Sequence, residues 1–314
     1  MTPQRISRRS ALGIGLGAVA AAAGATALAV ERSNAVAYGS AGSPAHFAPT
    51  ATPTAYPSPP TTTAGPLVLG SFASKGMSPA PAHAVPVDFE ISYPPGSKPG
   101  DPLPVAVLLH GLDESEATAF DSDMAFNLYQ AQAVAHGVPP FAIATVYGAD
   151  EWWHPRADRT DAAALVVDEF LPLLAGRGLR AGAGDKVALM GWSMGGYGAL
   201  HLGGLLGPAR VAAVAAMSPA IWPSYLETTV GAFDGQADFD RNGVFGRQAS
   251  LADIPVRIDC GLQDGLCAFA KVYVEGFAHR PAGGWQPGEH LPGYWRSVAP
   301  AHMDFVGRAL AAGA

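Results

Sequence analysis

From residue 67 onward, short apolar runs alternate with longer amphipathic ones. Val105-Ala106-Val107-Leu108-Leu109, Phe141 to Val146, Lys186 to Met190, Val211 to Met217 and Ile254 to Ile258 are almost continuously apolar, as strands buried on both faces require. Val85 to Tyr93 instead alternates apolar and polar residues and ends at Pro94-Pro95-Gly96, which predicts an early antiparallel strand and a turn. Between these runs, Ser122 to His136 predicts a helix. Thr160 can cap a second, with an apolar face of Val166, Val167, Phe170, Leu171 and Leu174 and with Pro172 placed to kink or shorten it. A third helix opens near Tyr197 and stops at Gly207-Pro208, and a last one runs from about Pro292 to Ala312. This alternation predicts an α/β fold, a mostly parallel central sheet flanked by helices. Ser218 to Leu251 has little periodicity and several Gly, Pro and aromatic residues, so a small lid-like excursion is expected there.

The N-terminal residues read differently. Arg8-Arg9 precedes an uncharged Ala- and Gly-rich run from Ala11 to Val30, the arrangement of a twin-arginine export signal over residues 1–35. Small residues at Ala27 and Ala29, or at Ser33 and Ala35, offer cleavage sites. A retained anchor is the alternative, because 20 uncharged residues can span a bilayer. Residues 36–66 are rich in Pro, Thr, Ser and Ala without apolar periodicity, the composition of a flexible linker. Residues 67–314 remain for one domain, with a secreted or cell-envelope-associated location as the expectation.

The formal charge is −7. Since residues 1–35 carry four arginines and one glutamate, the remainder is more acidic still. Without basic clusters, such a chain is poorly matched to nucleic acid or anionic lipid. The 2 cysteines, Cys260 and Cys267, suit an exported protein with one disulfide better than a zinc site, which would need ligand-spaced histidines.

The candidate chemistry sits between the Lys186–Met190 run and the following helix. There Gly191-Trp192-Ser193-Met194-Gly195 has the G-x-S-x-G spacing of the nucleophile elbow of α/β-hydrolases. A serine hydroxyl needs a base, and the base needs an orienting group. In this fold those follow in the order acid, then histidine. Asp264 lies just beyond the strand around Ile258, with Asp259, inside the strand, as its competitor. His290, before the terminal helix, is preferred to His279 and His302 as the base. The N–H groups of Met194 and Leu112 are the expected oxyanion donors. His110 and Gly111 shape that turn and count as substrate-binding candidates. So do Trp152 and Trp153, either as pocket lining or as a self-packed loop. Acyl transfer through serine needs neither a metal nor an organic cofactor.

Leu109-His110-Gly111-Leu112, Gly191-Trp192-Ser193-Met194-Gly195-Gly196, Cys260-Gly261-Leu262-Gln263-Asp264 and Gly288-Glu289-His290 ahead of Tyr294-Trp295 together resemble the putative-esterase family. That family includes esterase D, feruloyl esterases and the antigen 85 mycolyltransferases, and the export signal fits its secreted actinobacterial branch. The resemblance implies Ser193, Asp264 and His290 as a triad, with Leu112 and Met194 as oxyanion donors. It further implies a secreted serine carboxylesterase acting on a small-molecule or lipid ester. Acyl transfer to a sugar or lipid hydroxyl, or a non-catalytic wall-associated binding role, are the alternatives. His110 stands where the mycolyltransferases carry an acidic residue, which counts against a trehalose-mycolate assignment.

Overall fold

A computed structural model describes residues 56–80 and 83–313; the export-signal expectation lies outside the described residues. Eight strands form one sheet in the order β1-β2-β4-β3-β5-β6-β7-β8. They are β1 (Leu67–Ser74), β2 (Val85–Ser92), β3 (Val105–Leu109), β4 (Ala142–Val146), β5 (Val187–Trp192), β6 (Val211–Met217), β7 (Val256–Gly261) and β8 (Ala282–Gln286). β1 pairs antiparallel with β2, and β2 antiparallel with β4. From β4 to β8 every pairing is parallel. The five apolar runs in the sequence are thus the sheet's centre, where β3, β4, β5 and β6 are buried throughout.

The two outermost strands went unread in the sequence for opposite reasons. β1 is an edge strand with an alternating exposure and no apolar run. β8 has the sequence AGGWQ, whose glycines carry little strand signal.

The helices cover both faces. One core cluster joins α4 (Met194–Leu206) and the helical run 162–176 to the sheet. A second lies beneath α1 (Phe126–Ala135) and α7 (Pro292–Ala312). Pro172 does not end its helix. The run passes from α2 (Ala162–Ala164) through a π-helical turn (Leu165–Phe170) into α3 (Leu171–Gly176), with Pro172 in the first turn of α3. There the Leu171 N–H reaches back to the Val166 carbonyl in π register, and a proline in a first turn forgoes no helical hydrogen bond. The excursion after β6 holds α5 (Gln236–Asn242) and two short 3₁₀ turns, and α6 (Cys267–Glu275) follows β7.

The linker expectation needs correction at its C-terminal end. Residues 56–66 lie against the domain: the Thr62 hydroxyl donates to the Leu128 carbonyl at 3.0 Å, and the Tyr93 N–H donates to the Pro66 carbonyl at 2.9 Å. A segment without apolar periodicity can still dock when one aromatic ring and a few hydrogen bonds hold it, and Tyr56 packs on the second core cluster.

Candidate active site

β5 delivers Ser193 to the carboxyl edge of the parallel sheet, and α4 begins at the next residue. Between them Ser193 has φ 53° and ψ −120°, a conformation that a non-glycine residue holds only when its surroundings impose it. Here the imposition comes from both sides. The Ser193 N–H donates to the Met217 carbonyl at 3.0 Å, and the Ser193 carbonyl accepts from the Ala220 N–H at 2.9 Å. The flanking glycines permit the close turn: a Cβ on Gly191 would overlap the Gly195 backbone, and one on Gly195 would overlap the Leu109 carbonyl.

The Ser193 hydroxyl lies 2.9 Å from His290 Nε2, and His290 Nδ1 lies 2.8 Å from Asp264 Oδ2. Because the carboxylate only accepts, Nδ1 carries the hydrogen and Nε2 is free to accept the serine proton. Burial pushes the Asp264 carboxyl up, but the hydrogen bond and charge of His290 and the Leu266 N–H outweigh it, leaving the carboxyl below its ordinary range. The histidine loop is clamped to the acid loop. Gly288 N–H donates to Gln263 Oε1 at 2.7 Å, and Gln263 N–H donates to the Gly288 carbonyl at 2.9 Å. Trp295, from the first turn of α7, stands edge-on to the imidazole at 5.2 Å.

The competitor Asp259 faces elsewhere. It forms an ion pair with Arg257 Nε at 2.7 Å, accepts from Arg257 Nη2 at 3.3 Å and pairs with His302 Nε2 at 2.9 Å, with both side chains of the His302 pair fully buried. His302 is fully buried, because α7 turns it into the core.

In the turn after β3, the Gly111 N–H donates to Glu114 Oε2 at 2.8 Å and the Asp113 N–H to Asp150 Oδ1 at 2.8 Å. The N–H groups of Leu112 and Met194 have no acceptor among the described residues. Glu114, which sequence reasoning missed, also accepts from the Trp192 indole N–H at 2.6 Å. Burial raises its carboxyl pKa, against the pull of those two donors and of nearby His290. Its only sequence signal is an acidic residue closely following the His110-Gly111 turn.

Several candidates leave the substrate-facing list. His110 is buried and accepts from the Gly148 N–H at Nε2 (3.0 Å), so its Nδ1 hydrogen goes to the Gly111 carbonyl (2.8 Å). Burial lowers its pKa to about 4, so it is a neutral strut between the β3 and β4 loops. Gly111 is buried too, with its N–H taken by Glu114. Trp152 and Trp153 are 3% and 0% exposed, despite positive φ values of 54° and 55°. Trp152 packs on Trp222 at 5.5 Å, and Trp153 on His110 at 5.1 Å. These indoles fill the core beneath the loop instead of lining an open pocket, because two consecutive left-handed residues turn both side chains inward. Nor is the Cys260–Cys267 bridge formed: both are buried free thiols. The Cys260 thiol donates to the Ser218 hydroxyl at 3.8 Å; the neighbouring Cys267 and burial raise the Cys260 pKa, while Cys260 lowers that of Cys267.

A cavity of about 640 Å³ lies behind α4, lined by residues such as Leu200, His201, Arg247 and Tyr273, and includes none of Ser193, Asp264 or His290. Exposed apolar side chains stand in the loops after β4, after β7 and next to His290: Tyr147, Leu262 and Leu291.

An open, mostly parallel sheet with a strained serine between strand and helix, reached by an aspartate-backed histidine, defines an α/β-hydrolase. The chain matches the family model described as "Putative esterase" over residues 82–267, more than half its length. It belongs to that family and is a carboxylic ester hydrolase. Among solved structures it is similar to a ferulic acid esterase at 22% identity and TM-score 0.64, covering 78% of this chain and 98% of that one. An S-formylglutathione hydrolase from Agrobacterium tumefaciens matches at 16% identity and TM-score 0.62, covering 82% of this chain and 100% of its own. Mycobacterium tuberculosis MPT51 matches at 18% identity and TM-score 0.60, covering 79% and 100%. At these identities the likeness is one of fold. No curated protein sequence matches the chain.

Proposed function

We propose that this chain is an exported serine carboxylesterase working through Ser193, His290 and Asp264. The observation that carries the reading is the continuous hydrogen-bond chain from the Ser193 hydroxyl through His290 to Asp264, at 2.9 and 2.8 Å. His290 Nε2 takes the serine proton as Oγ attacks the ester carbonyl. The oxyanion receives the Leu112 and Met194 N–H groups, each worth several kcal/mol of barrier. His290 then returns the proton to the leaving alcohol, and the acyl group stays on Ser193. Water, deprotonated by the same imidazole, attacks the acyl-enzyme and releases the acid. Exposed Tyr147, Leu262 and Leu291, in the loops after β4, after β7 and next to His290, offer apolar surface for the acyl group.

Export rests on Arg8-Arg9 and the uncharged run behind them. Adjacent Cys260 and Cys267 suit a disulfide once the protein reaches an oxidising compartment. The test is a Ser193→Ala variant that keeps the wild-type fold, assayed with p-nitrophenyl acetate and a fluorophosphonate probe. Loss of turnover and of labelling is expected; hydrolysis at the original rate would remove Ser193 from the mechanism. Product analysis with an added alcohol or trehalose then identifies water or a hydroxyl as the acceptor.

A further inference from the structure

The strap of residues 56–66 meets the domain at the base of the histidine loop. Tyr56 Oη accepts from the Glu289 N–H at 2.9 Å, one residue before His290. The Tyr56 ring packs against Gly293, in the first turn of α7, so closely that a Cβ at Gly293 would overlap it. Pro57 follows with its carbonyl accepting from Arg296 Nε at 3.4 Å, and Thr62 fastens the strap to the carbonyl of Leu128.

The loop carrying His290 thus has two side-chain anchors. Gln263 holds Gly288 from the acid side, and Tyr56 holds Glu289 from the other. Without the second anchor the Glu289 N–H turns to water, and nothing on the strap side fixes the backbone directly before the imidazole. We propose that residues 56–66 are an integral part of the catalytic domain and that Tyr56 is a positioning residue for His290. Tyr56 touches neither the substrate nor the reacting atoms; it acts through the Glu289 amide. The inference rests on the triad reading above, since a positioned imidazole matters only if it is the base. It also places the lower end of the Pro/Thr-rich segment within one residue of the reaction's base. A cut or modification between 56 and 66 would therefore alter turnover.

The test is made on the full-length chain. Misplacing a catalytic group by about 1 Å can cost up to about 10²-fold, and partial release of one anchor is expected to cost less. Tyr56→Ala should lower kcat about tenfold and leave KM within about twofold. Tyr56→Phe, which keeps the ring on Gly293 and loses only the acceptor, should recover part of that loss. Gly293→Ala, which leaves Tyr56 intact but pushes its ring away, should reproduce the Tyr56→Ala effect. The double variant should be no slower than either single one, because the two changes break one contact. Counting active sites by fluorophosphonate labelling separates slow enzyme from unfolded enzyme. Should Tyr56→Ala not fold, Tyr56→Phe and Gly293→Ala decide the matter by the same kcat criterion. Variants that keep wild-type kcat per labelled site overturn the proposal. A wild-type chain with no turnover and no labelling would instead overturn the esterase reading itself.

Discussion

Of the three aspartate–histidine pairs among the described residues, two are built from neighbouring stretches of chain and are nearly identical in length. Asp264 meets His290 at 2.8 Å and Asp259 meets His302 at 2.9 Å. They differ in what else each one touches. His290 is 23% exposed and turns its second nitrogen to Ser193, whereas His302 is 0% exposed and its second nitrogen has no partner among the described residues. Asp259 is further committed to Arg257 and to Gln286 Nε2 at 3.2 Å, and the Tyr294 hydroxyl donates to that same glutamine. One pair reaches the serine at its free end and is backed by a loop clamp; the other is sealed from solvent and ties β7 to α7. An Asp–His contact alone is therefore not a catalytic signature. The free end of the imidazole and the serine beside it make the difference.

Removing each histidine should separate the pairs most sharply. His290→Gln should lower kcat by about 10⁶-fold with the melting temperature little changed, as loss of the triad histidine does. His302→Ala should do the reverse. Breaking a buried pair costs about 3–5 kcal/mol, read in denaturant unfolding, while kcat per labelled active site stays at the wild-type value. If His302→Ala abolished turnover in folded protein, the division of roles would be wrong.

The aspartates should follow the same split with smaller effects. Asp264→Asn removes the acceptor that fixes the His290 tautomer, and a loss of about 10²–10⁴-fold in kcat is expected. Asp259→Asn should chiefly lower stability by about 2–3 kcal/mol, because Arg257 and His302 lose their shared charge. Equal kcat losses in the two variants would contradict the comparison.

Acid should act on the closed, buried histidines through stability. His110 has a folded pKa of about 4, lowered by burial from 6.5. Its neutral form is the one the fold accepts, so its contribution is complete above the unfolded value and is lost as pH falls from 6.5 to 4. At 1.36 kcal/mol per pKa unit, that contribution reaches about 3 kcal/mol. The buried His201 is lowered to about 4 by the same cause. The Asp259–His302 pair acts in the same sense, since burial lowers His302, and the His302 and Arg257 interactions lower Asp259 against its own burial. Unfolding free energy should therefore decline between pH 6.5 and 4, and a flat profile would refute these assignments.

The smallest effect is expected at Glu114. Glu114→Gln keeps an acceptor for the Gly111 and Trp192 donors but removes the charge, and a charge-assisted bond is about twice as strong as a neutral one. A loss of about 1.4 kcal/mol, or tenfold in kcat/KM, is the expected cost. An unchanged value would show that the β3 turn holds its shape without that carboxylate.

Much of the site is legible in the sequence. Gly191 and Gly195 bracket Ser193 because the turn leaves no room for a Cβ, and that requirement is written into five consecutive residues. The parallel strands were legible too, since burial on both faces demands unbroken apolar runs such as Val211 to Met217. The misses came where local pattern and environment part company. Trp152 and Trp153 fitted either a pocket lining or a self-packed loop, and only their burial in the core decides between the two. Residues 56–66 looked like linker because docking by one ring and a few hydrogen bonds leaves no periodic trace.

The sequence by itself determined the alternation of elements, the strained serine and the order in which acid and base follow it. These depend on backbone preferences and on burial over a few neighbouring residues. Only the tertiary structure decided that Asp264 and not Asp259 faces His290, that Leu112 and Met194 keep their N–H groups unclaimed, and that Tyr56 reaches Glu289. Those outcomes depend on which distant side chains arrive at the same place. Side-chain direction at a strand's end is set by packing across the sheet, which no short stretch of sequence contains.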